Sequence, residues 1–296
     1  QPRCLPRTSG VFPSPRACSI PMPSASYLCL ISGLVALGPL SAAAVRERHH
    51  DLSLSFADAG QGPPETPDIE ACGEAAIKSV SKFLQCGADG CAWKLVLADS
   101  STAILKVAKD TGKAAQASVK KDCSFANKLE AAGVQNALKC LGSCEADGNK
   151  AAVMSPFVEN KAEFGPNPIR LGDKNRHAVE VMLTTAWQML HGGFINGDQA
   201  NNVLYNPETG DPVFIDFGRA MQVTKVPKST MKKRILGVQV RNMIYDLVIG
   251  TVPKDLCGFA REKVHALQKE LPPPEVLAIF VEAAMDSVEK WWESKC

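Results

Sequence analysis

The densest run of chemistry-bearing residues is NGDQANNVLYNPETGDPVFIDFGRA, residues 196–220. Asp198 stands shortly before Asn202, a short apolar run follows, a Pro/Gly turn reverses the chain, and a second apolar run ends in Asp216-Phe217-Gly218. A hairpin of this kind sets two groups of oxygen-bearing side chains beside each other. Phosphoryl transfer asks for that arrangement, because it is mainly positioning and charge neutralisation. It needs oxygen ligands for a divalent cation on rigid neighbouring elements and a carboxylate near the attacking hydroxyl. An Asp-Phe-Gly strand end alone is equally an ordinary turn; the combination of Asp, Asn, hairpin and second Asp carries the reading.

This segment resembles the catalytic loop and Asp-Phe-Gly motif of protein kinases, and more closely their aminoglycoside-phosphotransferase-like relatives, whose loop begins His-Gly-Asp. The resemblance implies that Asp198 is the catalytic carboxylate, Asn202 a metal ligand and Asp216 the principal metal ligand beneath the phosphates. Two departures stand out. Asn196 occupies the usual His position, and Asp198 lies four residues before Asn202 where the family spacing is five. Strict counting lands on Gly197, so either the loop is one residue shorter with Asp198 in place, or the chain is a degenerate, inactive member.

Elements upstream must complete such a site. TAILKVAKD reads as a strand with Lys106 between apolar neighbours, and Lys106 resembles the kinase lysine that contacts the α and β phosphates, with Lys109 as substitute. Its carboxylate partner is expected on the following helix: Asp122 lies seven residues before Leu129, a spacing kinases use, and Glu130 is the fallback. The turn Cys86-Gly87-Ala88-Asp89-Gly90-Cys91 falls where kinases carry their glycine-rich loop, and Gly87 and Gly90 would let backbone N–H groups approach phosphate. An ordinary hairpin turn reads the same way. A Cys86–Cys91 disulfide could clip this loop. VMSPFVENK resembles the hinge that hydrogen-bonds adenine, although Met154 and Phe157 are as readily core residues; His177 and His191 receive no role, and Trp291 and Trp292 read as packing residues.

Together with this resemblance, the element order implies an α+β, two-lobed protein-kinase-like fold, with an antiparallel five-stranded N-lobe over about 68–157 and a mainly helical C-lobe over about 158–296. IEACGEAAIKSV, residues 69–80, reads as a short helix, followed by strands KFLQC, AWKLVLA and TAILKVA, a helix over about 113–133, and strands NALKCLG and KAAVMSPFV. RHAVEVMLTTAWQML has helical spacing, the 202–216 hairpin follows, and two or three helices close the chain, the last from about Pro274 to Glu293.

Lys and Arg total 33 against 31 Asp and Glu, a net charge of +2 that argues for neither nucleic acid nor an anionic membrane as partner. Residues 22–44 carry a short apolar core ending in SAAA, which reads as an export signal rather than a stable membrane anchor. Residues 45–67 read as a polar arm. Eight cysteines follow Ala44, an even number that favours disulfides over a zinc site built on Cys140 and Cys144. No Asn-x-Ser/Thr acceptor occurs, so N-glycosylation is not expected.

The resemblance spans about residues 80–250 and brings to mind secreted kinase-like effectors of parasites and compact bacterial effector kinases. It implies a secreted, monomeric kinase that uses ATP with Mg2+ or Mn2+ and acts on a protein substrate such as a host protein. A secreted pseudokinase scaffold and a small-molecule phosphotransferase are the alternatives.

Overall fold

The computed structural model describes residues 63–158, 168–199 and 202–296. The expected export segment and nearly all of the polar arm lie outside these residues. The described fold is α+β. A six-stranded antiparallel sheet is built from β1 (Ala71–Cys72), β2 (Ala75–Cys86), β3 (Gly90–Leu97), β4 (Thr102–Ala108), β5 (Gly142–Ala146) and β6 (Lys150–Pro156), in the order β1-β2-β3-β4-β6-β5. Helix α1 (Lys113–Ala131) joins β4 to the β5–β6 hairpin. Beyond the sheet come α2 (Asn175–His191), the short strands β7 (Phe194–Ile195), β8 (Val203–Tyr205), β9 (Pro212–Phe214) and β10 (Met221–Gln222), then α3 (Thr230–Tyr245), α4 (Cys257–Glu270) and α5 (Glu275–Lys295). Among the described residues no single helix is long and apolar enough to cross a membrane.

The sheet has six strands where five were expected, because residues 69–80 are not helical. Gly73, at φ +63°, turns β1 back onto β2 with Cys72 opposite Ala75. Register shifts interrupt the β2–β3 pairing between Ile77 and Ser79, Val80 and Lys82, and Phe83 and Gln85. Each bulge adds a residue, so the side chains turned to the core, Ile77, Val80 and Phe83, recur every third position. That spacing imitates a helix, and the alanines just before it, Ala71, Ala75 and Ala76, strengthen the imitation. The segment NALKCLG is likewise not a full strand. Residues 136–138 run beside β9 through one parallel bridge, Ala137 to Phe214, and β5 begins only at Gly142.

The remaining elements fall close to their expected limits. α1 stops before Gly133, where the Val134 N–H reaches back to the Leu129 carbonyl. Ser229 caps α3 by accepting from the Lys232 N–H at 3.1 Å. Two main apolar cores result. The smaller, built on Trp93, Leu95, Leu105 and Met154, lies on one face of the sheet; α1 packs across the other with Val119 against Val153. The larger joins α2 to α5 around Trp187, Phe194, Phe214 and Trp292, and α1 contributes Phe125 and Leu129 to it. Trp291 and Trp292 are therefore packing residues, as expected.

All eight described cysteines are paired: Cys72–Cys144, Cys86–Cys91, Cys123–Cys140 and Cys257–Cys296. Cys140 and Cys144 belong to different bridges, which removes the zinc alternative. Four disulfides suit an oxidising compartment.

Candidate functional site

A cavity of about 870 Å3 lies where the sheet, α1 and the β8–β9 hairpin meet. Gly87, Gly90, Lys106, Asp122, Asp198, Asn202 and Asp216 all line it. Alternation along β4 explains the lysine: Ala103, Leu105 and Val107 are buried, while Ile104 and Lys106 face the cavity. On α1, Asp122 lies on the same stripe as Val119, Phe125 and Leu129, so its carboxylate points inward with the apolar face. The alternatives point elsewhere. Lys109 is exposed, and Glu130 pairs with Lys139 at the surface.

Lys106 Nζ donates to Asp122 Oδ2 at 2.9 Å and to Asp216 Oδ1 at 2.6 Å. The other Asp122 oxygen accepts the Phe217 N–H at 2.7 Å, so one carboxylate fixes both the lysine and the backbone after Asp216. Burial alone would lower the Lys106 pKa, but the Asp122 and Asp216 charges outweigh it and hold the ammonium above the ordinary lysine value. Burial raises the Asp122 carboxyl; Lys106 opposes that rise and Asp216 adds to it, leaving a net increase. The side chains of Lys106 and Asp122 are 19% and 13% exposed, whereas Asp216 is 45% exposed. Asp216 is thus the most solvent-accessible member of the trio, and all three line the cavity.

Asp216 sits at φ +54°, left-handed backbone in which Asp is among the better-tolerated residues. Neighbours enforce it. The Ile215 N–H donates to the Asn202 carbonyl at 2.8 Å, and buried Asn196 donates from Nδ2 to the Asp216 carbonyl at 3.1 Å. Phe217, fully buried, stacks on Phe125, which meets Phe194 edge-on.

The loop bearing Asp198 is organised by the same asparagines. Asn196 Oδ1 accepts the Asp198 N–H at 3.4 Å, Asn202 Nδ2 donates to the Asp198 carbonyl at 2.7 Å, and Gln199 Nε2 donates to the Asn202 carbonyl at 3.0 Å. A Cβ on Gly197 would run into Gln239 of α3. Asp198 itself is exposed and lines the cavity. Asn196, noticed in the sequence only as a departure, bridges the two halves of the site. Its signal there was its position beside the Gly-Asp pair.

The two glycines of the β2–β3 turn differ. A Cβ on Gly90 would come 2.6 Å from the Val107 carbonyl oxygen, so strand packing alone requires glycine there. A Cβ on Gly87 would meet nothing closer than 3.8 Å. Packing therefore does not require glycine at Gly87. The Cys86–Cys91 bridge closes this turn, and Asp89 ties it down by accepting from Ser118 Oγ at 3.0 Å and Arg219 Nε at 3.4 Å. The Asp89–Arg219 contact spans 130 residues and had no local signal in the sequence.

The hinge-like residues divide: Met154 is fully buried in the sheet core, whereas Phe157 lines the cavity beneath the Lys94 ammonium, 3.9 Å from its ring centroid. His177 pairs with Asp211 and His191 with the Pro272 carbonyl, and neither lines the cavity. Among the described residues no three His, Cys, Asp or Glu side chains converge on a metal position. A divalent cation here would take Asp216 and Asn202 as its protein ligands and complete its shell with water and ligand oxygens, as magnesium does with phosphates.

No protein-family model matches the chain, and no curated protein matches it.

Proposed function

We propose that the sheet with α1 and the helical body are the two lobes of a protein-kinase-like fold, and that the chain is an exported kinase transferring the γ-phosphate of ATP to a protein hydroxyl. The observation that carries this reading is Lys106 held between Asp122 and Asp216 on a cavity that Asp198 and Asn202 also line. In this reading Lys106 contacts phosphate oxygens, and Asp122 keeps its ammonium in place. Asp216 and Asn202 hold Mg2+ or Mn2+, which supplies charge neutralisation at the phosphates. Asp198 orients the acceptor hydroxyl and takes its proton. No side chain at Gly87 stands between the turn and a phosphate, while the Gly87 N–H itself donates to the Gly90 carbonyl at 2.8 Å. The four disulfides fit the secretory route that the apolar segment 22–44 suggests.

The test is transfer of labelled γ-phosphate from ATP by the chain expressed in an oxidising compartment, with magnesium and then manganese. Asp216→Ala and Asp198→Ala are each expected to lower transfer by about 100-fold or more. A second reading is favoured by Asn196 at the His position and by Asn202 engaging the Asp198 backbone: a nucleotide-binding scaffold. No transfer, with ATP still raising the Tm, selects the scaffold. No transfer and no ATP effect on Tm removes both readings.

A further inference from the structure

Between Asp216 and Asp246 the chain carries seven Lys and Arg residues and no Asp or Glu, although the whole protein nets only +2. Lys225, Lys228, Lys232, Lys233 and Arg234 fall within ten consecutive residues, all are exposed, and none makes an ion pair among the described residues. Interleaved with them are apolar side chains left in solvent: Met231, 67% exposed, with Val226, Ile235 and Val238. Lysines in the first turns of a helix oppose its dipole, so the fold gains nothing from this placement. A concentration of unpaired cations with exposed apolar side chains is the composition of a recognition surface.

The surface is also concave. A second pocket, about 330 Å3, opens between residues 221–227 and the start of α3, with Pro227, Ile235 and Leu236 in its wall and Lys225 and Lys232 beside them. Both walls lead to the Asp198 loop. β10 pairs with β7, which runs directly into Asn196. One turn along α3 from Ile235, on the same face, Gln239 lies against Gly197.

From this we infer that the basic groove is the docking site of the protein substrate, and that the substrate segment is acidic with an apolar side chain that seats in the pocket. The inference rests on the phosphotransfer reading for the word substrate, but the binding itself does not require it. An anionic lipid surface would use the same charges. It would not use a pocket sized for one or two side chains and set against the loop that carries Asp198, so the peptide is favoured.

The test is fluorescence anisotropy, without nucleotide, using the full chain and a fluorescein-labelled synthetic peptide of glutamates around one serine and one leucine. The comparison peptide replaces every glutamate by lysine. The glutamate peptide is expected to bind about tenfold or more tightly than the lysine one, and K232E/K233E to weaken it by at least about tenfold. Ile235→Asp is expected to weaken it as well. These positions are exposed, so an unchanged Tm checks that each variant folds. Equal binding of the two peptides, or indifference to K232E/K233E, overturns the proposal. So does uptake by phosphatidylserine vesicles without peptide preference, which would make this a membrane face. Glutamate-peptide binding without any ATP-dependent transfer keeps the docking surface and sinks the phosphotransfer reading alone. Transfer without peptide preference does the reverse.

Discussion

The sheet with α1 and the helical body are held together by different means. The sheet side has the smaller apolar core, and three of the four disulfides fall on it or on α1. The helical body has the larger core and one bridge, Cys257–Cys296. The difference follows from the cavity, which takes the part of one sheet face that α1 does not cover away from close packing. Where apolar burial is reduced, covalent closure of the unfolded chain supplies the missing stability, as it does in small domains with little core. A site hollowed into one half of a molecule is then compatible with a firm scaffold around it.

The sharpest way to break that comparison is to remove the longest staple. Cys72–Cys144 closes a separation of 72 residues, so C72A/C144A is expected to cost about 4 kcal/mol in denaturant unfolding. A cost under about 1 kcal/mol would show that the sheet does not depend on it. Next in size, Leu183→Ala in the centre of α2 is expected to cost about 3 kcal/mol. That cost should be the same with the Cys72–Cys144 bridge present or absent, because the two sites lie in different cores and distant effects add. Strong non-additivity in the double variant would mean that the halves are one unit energetically.

The smallest effect concerns the charge cluster where the halves meet. The native Lys106 ammonium has a raised pKa, so its stabilising contribution is full below the ordinary lysine value, about 10.4, and is lost as pH rises through the raised native value. The stability difference between wild type and Lys106→Met should stay constant from neutral pH to about 10. Above that it should shrink by at most about 1.4 kcal/mol per pH unit. Shrinkage beginning between about pH 7 and 9 would contradict the ion-pair geometry.

What the sequence disclosed, and what it withheld, divides by distance along the chain. Asp198, Asn202 and Asp216 were legible because one hairpin carries them all, and local turn chemistry reports a hairpin. Lys106 and Asp122 could be placed because a strand's period of two and a helix's of 3.6 each survive in their own elements. The β1–β2 region was misread because three bulges changed its period, and a bulge depends on the partner strand rather than on the residues that form it. Three of the disulfide partners, the Asp89–Arg219 tie and the Asn196 bridge are long-range pairings. Composition suggested that the cysteines would pair, but only the topology could say with which.

Asp216 holds a left-handed backbone as well as a charge, and these two demands narrow what can replace it. A β-branched or bulky residue would have to rebuild the turn, whereas Asn and Gly accept the same φ. Loss of the carboxylate by either route leaves the hairpin, the Asn196 bridge and the packing of Phe217 intact. In descent, the carboxylate at this position can therefore be exchanged for Asn or Gly with the backbone turn kept.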